Sequence, residues 1–180
     1  MQRIVRAQAN KHAFNHADKP LIRVKPGESF VVETEDALDG SIRVEDVRLA
    51  HAHINDPRPH GNPVGGPIYV EGAEKGDLLA VSIERIVVDQ QGVTVLFEGV
   101  GPLADSVRWR AAAEPFVHVL RHLPGPSGTM RDGVGILNEK VRWQLRPFLG
   151  TLGVAPEREV ETSVMGQGPW GGNLDCREFC

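Results

Sequence analysis

Short runs of apolar residues, many of them valine or isoleucine, recur along this chain with glycine or proline between them. The 180 residues include 20 glycines and 13 prolines, which are spread along the sequence. Glycine and proline interrupt regular elements, whereas branched apolar residues favour strands. The predicted strands are residues 20–24, 29–34, 41–44, 67–71, 78–88, 93–97, 116–121, 141–145 and 148–154. Strands at this spacing predict a mainly β fold of sandwich or barrel subdomains, with few short helices.

Two local features refine this organisation. A Gln-Gln-Gly turn predicts that strands 78–88 and 93–97 form a β-hairpin. The run Ala111–Ala113 favours a helix, but a proline two residues later would end it. The length fits one domain of residues 1–180, and we expect any subdivision near residues 100–115.

The composition is that of an ordinary globular chain. Hydrophobic residues make up 41% and charged residues 24%, and the net charge is -4. This charge gives no reason to expect a nucleic acid or an anionic membrane as partner. No run of 18 apolar residues and no signal-peptide pattern occurs, so we expect a cytoplasmic protein. Cys176 and Cys180 alone do not make a disulfide framework.

Histidines are concentrated in the segment HAHINDPRPH. If this segment is a strand, His51 and His53 face the same side and could begin a metal site, with His60 or Asp56 returning from the turn. The alternative is a polar loop whose histidines bind nothing. A second pair, His12 and His16, has the spacing of helical ligands, but the surrounding residues carry no strong helix signal.

Carboxylates follow two predicted strands. Glu33-Thr-Glu-Asp36 ends one strand, and Glu71 ends another. Strand ends commonly deliver side chains into an accessible cleft, although such residues can also be solvated termini.

The segment GPWGGNLDC, residues 168–176, contains the most suggestive group of polar atoms. Gly171 and Gly172 would offer backbone N–H groups and Asn173 an amide, which together suit a developing oxyanion. Asp175 would lie on the same side as Asn173 in an extended segment, where its carboxylate suits a metal or a general base. The alternative is a glycine-rich turn capped by an aspartate. The sequence contains neither a GxSxG elbow nor a phosphate-binding glycine motif.

Four ordered motifs resemble those of the acetamidase/formamidase family. The run NPVGGPIYVEGAEKGD at residues 62–77 is similar to the family's NPxTGPxYVEGAExGD, and residues 33–37 resemble its FETxDA element. Residues 146–156 look like its RPMxGxxGxAP strand, and residues 168–175 match its GPxGGNxD signature. The resemblance covers residues 30–175 and identifies the chain as a member of that family.

The resemblance implies a β-sandwich and barrel fold, usually dimeric, and metal-dependent hydrolysis of a small aliphatic amide that releases ammonia and a carboxylate. The family's metal ligands are carboxylates and histidines, and the matching carboxylates here are Asp36, Glu71 and Asp175. Under this hypothesis a divalent metal, with zinc as first candidate, binds Asp36, Glu71 or Asp175 together with at least one histidine, for which His51 and His53 are the candidates, and activates a water molecule.

The same hypothesis assigns the remaining steps to the glycine-rich motif. Gly171, Gly172 and Asn173 would stabilise the oxyanion, and a carboxylate of Asp175 or Glu71 would carry the proton to the leaving amine. The predicted catalytic residues are therefore Asp175, Asn173 and Glu71.

Two departures from the family pattern leave alternatives open. Trp170 stands where a histidine often precedes the paired glycines, and the family continues to a later GDxHAxxGDGE motif that this sequence lacks. The chain could therefore be a non-catalytic half of a split amidase, completed by a homodimer or by a second chain that carries this motif. A small-molecule or metal-binding module built on His51, His53 and His60 is a further alternative.

Overall fold

A computed structural model describes residues 1–8, 10–101, 108, 114–158, 160–164 and 166–179 of the chain. In these residues strands outnumber helices, which confirms the mainly β prediction. The strands are β1 (Gln2–Ile4), β2 (Ala13–Asn15), β3 (Ile22–Val24), β4 (Phe30–Val32), β5 (Ile68–Val70), β6 (Gln91–Leu96), β7 (Phe116–Leu123), β8 (Val134–Ile136), β9 (Arg142–Gln144), β10 (Thr151–Gly153), β11 (Val160–Thr162), β12 (Gln167–Gly168) and β13 (Gly171–Asn173). One α-helix, α1, spans Val47–Ile54, and 3₁₀ turns occur at Arg6–Gln8, Met130–Asp132 and Arg177–Phe179.

The chain divides into two compact units, each built from separate stretches of sequence. Unit 1 comprises residues 1–40, 59–84 and 148–180, and unit 2 comprises residues 41–58 and 85–147. Unit 1 holds β1–β5 and β10–β13, whereas unit 2 holds α1 and β6–β9. Both units therefore depend on contacts between residues that are far apart in the sequence.

Unit 1 consists of several small sheets. β1 pairs with β4 and β3 with β5, both in parallel, while β2 pairs antiparallel with β11. β13 is the central strand of a three-stranded antiparallel sheet with β10 and β12 on either side. The buried apolar side chains of this unit are Ile4, Phe14 and Val24. Successive strand residues face opposite sides, so Arg23, next to buried Val24, points outward and stacks its guanidinium 3.8 Å from the ring centre of Tyr69.

Unit 2 contains one four-stranded antiparallel sheet, in the order β6-β7-β8-β9, with α1 lying against β7. The helix begins at Asp46, whose side chain accepts a hydrogen bond from the Arg48 N–H, as an N-cap residue does. It ends at Asn55. The core of this unit contains Ile42, Ala50, Ile136 and Leu145.

The structure corrects two of the predicted strands and one predicted strand pairing. Residues 41–44 and 78–88 carry no strand, and Leu78 is 97% exposed. β6 pairs with β7, so the predicted hairpin between residues 78–88 and 93–97 is wrong. Residues 78–88 are mostly apolar, which favours a strand, but this composition does not specify a strand partner.

The remaining predictions about the fold can be compared with only part of the chain. None of the sheets closes into a barrel in the part of the chain that the structure describes. Ala111–Ala113, and most of the subdivision predicted near residues 100–115, lie outside the described residues, and the single domain of residues 1–180 stays a prediction. The structure describes no helix that is both long and apolar enough to cross a membrane.

Candidate functional site

The glycines of the GPWGGNLD segment allow three strands to approach each other closely. Gly171 and Gly172 have φ angles of +94° and +114°, a region that side chains rarely permit. A Cβ atom on Gly172 would lie 2.0 Å from the carbonyl oxygen of Gly166, and one on Gly171 would lie 2.4 Å from that of Leu152. Glycine is therefore required at both positions for packing, whether or not a ligand binds nearby.

The backbone N–H groups of this motif are engaged in the sheet. Asn173 N–H donates to Gly166 O at 3.0 Å, on the β12 side of the strand. Gly172 lies opposite Leu152 of β10. In the same ladder the Leu174 N–H donates to Gly150 O and the Val154 N–H donates to Trp170 O. Hydrogen-bonded pairs alternate in an antiparallel ladder, so Gly172 also pairs with β10. The expectation of unshielded N–H groups is wrong for this central strand, and the oxyanion role of Gly171, Gly172 and Asn173 stays a prediction.

The side chain of Asn173 is also fixed by the fold. Its Nδ2 donates to Val164 O at 2.7 Å, and its Oδ1 accepts from the Thr151 hydroxyl at 2.9 Å. Gln167 Nε2 donates to the Asn173 carbonyl oxygen. The amide therefore ties β13 to β10 and to the segment after β11, and its catalytic role stays a prediction.

Asp175 and Glu71 present carboxylates that no described residue engages by a hydrogen bond. Asp175 is exposed and has a φ of +47°, a conformation that aspartate tolerates better than most residues. Its N–H donates to Gly150 O at 2.9 Å, and a Cβ on Gly150 would lie 2.5 Å from Asp175 Oδ1. Glu71 is half-buried at the end of β5, where its N–H donates to Val24 O at 2.8 Å. Both side chains lie in unit 1 and remain available as ligands or proton acceptors.

Asp36 has a structural role in a tight turn. Its Oδ1 accepts hydrogen bonds from the N–H groups of Leu38 and Gly40, at 2.8 and 3.1 Å. This is the local bonding by which aspartate commonly stabilises turns. The proposed metal-binding role of Asp36 stays a prediction.

His51 and His53 lie on α1 of unit 2, so the strand interpretation of this segment is wrong. Two residues along a helix are about 200° apart, so the two rings face different sides. His51 is exposed beside a cavity of about 270 Å³. His53 is buried, with its Nδ1 3.2 Å from the Ser41 hydroxyl and its ring stacked on Phe97. The carboxylates named above belong to unit 1 instead.

The described side chains do not form a metal site by themselves. Across residues 1–8, 10–101, 108, 114–158, 160–164 and 166–179, no group of three or more His, Cys, Asp or Glu side chains could hold a metal ion. A structural zinc site has four ligands, and a catalytic one usually has three protein ligands. These residues therefore do not fit the expected zinc ion, and its binding stays a prediction.

Sequence reasoning missed a polar cluster in unit 1 that contains His12, Asp39, Gly61, Asn62 and Ser163. His12 Nε2 lies 2.5 Å from Asp39 Oδ1, and Asp39 Oδ2 accepts the N–H of Gly61 at 2.7 Å. The side chains of His12 and Asp39 are only 17% and 18% exposed. This short contact between an imidazole and a carboxylate is therefore largely shielded from water.

Two left-handed turn residues and an unsatisfied hydroxyl accompany this cluster. Asp39 and Asn62 have φ angles of +57° and +45°. Aspartate and asparagine adopt this conformation more readily than other residues with a side chain, as is typical of turns. Ser163 is 0% exposed, and its hydroxyl has no hydrogen-bond partner among the described residues. The sequence signals of this cluster are the Asp39-Gly40 and Gly61-Asn62 turns, whereas the spacing of His12 relates it only to His16.

The relationship of the chain to known proteins follows from its match to one family model. The model of the Acetamidase/Formamidase family matches residues 1–167. The chain belongs to the acetamidase/formamidase family.

Three relatives illustrate this membership. A formamidase of Methylophilus methylotrophus is 32% identical over 164 residues, which cover 81% of this chain and 34% of that protein. An acetamidase of Mycolicibacterium smegmatis is 42% identical over 76 residues, covering 38% of this chain and 16% of that protein. The crystal structure of an acetamidase from Bacillus halodurans is 28% identical with a TM-score of 0.82, covering 98% of this chain and 53% of that one. The chain thus spans about half of the solved acetamidase and about a third of the curated formamidase.

In this member of the acetamidase/formamidase family, the family run at residues 62–77 connects the polar cluster around His12 with Glu71, both in unit 1. It begins at Asn62, whose Nδ2 donates to Ser163 O at 3.4 Å, and it continues through β5 to Glu71. Trp170 has its indole Nε1 buried without a partner among the described residues. The family run therefore supplies both the left-handed turn at Asn62 and the unengaged Glu71 carboxylate.

Proposed function

We propose that the protein to which this chain belongs hydrolyses a small aliphatic amide, of the formamide or acetamide type, to a carboxylate and ammonia. The observation that carries this proposal is the family match over residues 1–167, together with relatives named formamidase and acetamidase.

Hydrolysis requires a water molecule to attack the carbonyl carbon while a proton moves to the departing nitrogen. The carboxylates of Asp175 and Glu71 suit proton transfer because no described residue engages them by a hydrogen bond. Asn173 and the glycines beside it would hold β13 in place. The oxyanion role predicted for them requires that one of their hydrogen-bond donors leaves its present partner in the sheet. No step is assigned to a metal ion.

Ammonia release from formamide and acetamide is the direct test. In a preparation of the protein that releases ammonia from one of these amides, Asp175→Asn should lower kcat about 10²–10⁴-fold, as expected for the loss of a general acid or base. Glu157→Gln, which changes an exposed carboxylate of the same unit, is the matched control and should leave kcat unchanged. Full activity of Asp175→Asn would remove this residue from the mechanism.

Metal dependence is a separate part of the proposal. Dialysis against a chelator should abolish ammonia release, and Zn²⁺ should restore it. The further metal ligands would then come from residues outside those that the structure describes. Activity that survives chelation, with no metal detected by elemental analysis, would contradict this part alone.

A second candidate is a subunit of a split amidase. The chain would then be inactive alone and active when coexpressed with a polypeptide that supplies the rest of the family fold. Ammonia release by the purified 180-residue chain alone would exclude this candidate. Size-exclusion chromatography with light scattering would distinguish the proposed homodimer from a complex of two different chains.

A further inference from the structure

The His12 and Asp39 side chains are held in one arrangement by the surrounding backbone. The carbonyl oxygen of His12 accepts the N–H of Ser163 at 3.1 Å, just where β2 meets β11. Asp39 lies in the turn that Asp36 organises, and its N–H donates to Asp36 O at 3.0 Å. These backbone hydrogen bonds therefore fix the positions of both residues independently of the contact between their side chains.

Hydrogen bonding in the pair determines which ring nitrogen carries the proton. An ionised carboxylate only accepts hydrogen bonds, and Asp39 uses Oδ2 for Gly61 N–H and Oδ1 for His12 Nε2. Nε2 of the imidazole must then be the protonated nitrogen. Nδ1 of a neutral ring is left with a lone pair, and no described residue forms a hydrogen bond with it. This is how an acidic residue orients a histidine that transfers protons through its other nitrogen.

The pair is connected to the glycine-rich motif through residues 163 and 164. Ser163 bonds to His12 through its N–H and to Asn62 through its carbonyl oxygen. Val164 accepts from Asn173 Nδ2 at 2.7 Å. The two residues that follow β11 thus contact both the backbone of His12 and β13. The buried hydroxyl of Ser163 lies in this same connection.

We infer that His12 and Asp39 form a proton-transfer pair of the amidase site, in which His12 Nδ1 receives and returns the proton and Asp39 positions the ring. This inference rests on the proposed function. As the oxygen of water bonds to the amide carbon, one water proton passes to Nδ1. When the carbon–nitrogen bond breaks, the same proton passes from Nδ1 through the carboxylate of Asp175 or Glu71 to the nitrogen, which leaves as ammonia. The products are a carboxylic acid and ammonia, so atoms and charges balance with water as the only co-reactant.

The tautomer of His12 tests the geometry without any assay of activity. Two-dimensional ¹⁵N–¹H correlation spectra of the labelled chain should show His12 protonated at Nε2 and unprotonated at Nδ1. Asp39→Ala should remove this preference, whereas His16, which is exposed, should show the same spectrum in both proteins. A wild-type His12 that carries its proton at Nδ1 would overturn the inference.

Kinetics test the role. In the preparation that releases ammonia, His12→Gln should lower kcat about 10²–10⁴-fold. KM should change little, because proton transfer acts in the transition state. His16→Gln should match the wild type, and added imidazole should partly restore the activity of His12→Ala. If His12→Gln destabilises the fold, as judged by circular dichroism, the rescue of His12→Ala and the kcat of Asp39→Asn decide the question.

The outcomes separate this inference from the proposed function. An active wild type whose folded His12→Gln variant keeps its kcat overturns the inference and leaves the amidase proposal intact. A wild type that releases no ammonia, alone or with a complementing polypeptide, overturns both. A loss of kcat with imidazole rescue and the expected tautomer supports both.

Discussion

Replacing Gly172 with alanine should destabilise the protein far more than the same change at a glycine in open space. Gly172 has a φ of +114°, and a Cβ there would lie 2.0 Å from Gly166 O. A positive φ costs a residue with a side chain about 1–2 kcal/mol. To relieve the overlap β12 must move away from β13, which removes the hydrogen bond from Asn173 N–H to Gly166 O, worth about 1 kcal/mol. We therefore expect a loss of about 2–4 kcal/mol, including the lost packing.

Gly27→Ala is the matched control. Its φ of +78° is also positive, but a Cβ there would meet nothing within 4 Å. This variant should lose only the backbone contribution, about 1–2 kcal/mol. Urea unfolding followed by circular dichroism, with linear extrapolation to water, measures both values. Losses that agree to within about 0.5 kcal/mol would refute the argument that close strand approach requires Gly172.

Two further predictions concern the β1–β4 region of unit 1. Ile4 is 1% exposed, so Ile4→Ala should lower the free energy of unfolding by about 2–5 kcal/mol, whereas Val5→Ala, at a site 38% exposed, should cost much less; urea unfolding that gave equal losses would contradict this. The Arg6 N–H and the Arg3 guanidinium lower the pKa of Glu33 below its ordinary value of 4.5, so its stabilising contribution is present above the unfolded pKa and is lost as the pH falls through the folded one. Glu33→Gln should therefore reduce the fall of the melting temperature with acidification between about pH 6 and pH 3, and an unchanged pH profile would contradict this assignment.

Strand propensity predicted the class of the fold but only some of its strands. β3 and β5 lie within predicted runs, because isoleucine and valine alternate there with outward residues such as Arg23 and Tyr69. Residues 78–88 have a similar composition, yet no strand forms there. A strand requires a partner as well as a suitable pattern, and a pattern within one segment carries no information about partners from elsewhere in the chain.

The segment around His51 shows a different limit of sequence reasoning. Its two histidines suggested a strand with ligands on one face, but Asp46 caps a helix that places them on different sides. The N-cap was present in the sequence, and a period of 3.6 residues would have placed Ala50 and His53 on the buried side of that helix.

The family motifs predict Glu71 and Asp175 as site residues, and these roles stay predictions. Their carboxylates are unengaged by hydrogen bonds among the described residues. His12 and Asp39 are 27 residues apart and belong to no motif, so only the folded backbone reveals their contact. The glycines of the GPWGGNLD segment looked like a ligand cradle, because sequence alone does not distinguish a close approach by a ligand from one by a neighbouring strand.

The pairing of β2 with β11 has a consequence for the order in which the protein can fold during its synthesis. Residues 13–15 leave the ribosome early, but their partners are residues 160–162. At about 5–20 residues per second, the intervening stretch of about 145 residues takes roughly 7–30 s to translate. The strands of unit 2 at residues 91–144 emerge during this interval, and among the described residues they pair with one another. The inserted unit can therefore complete its sheet while β2, with His12 beside it, still awaits β11.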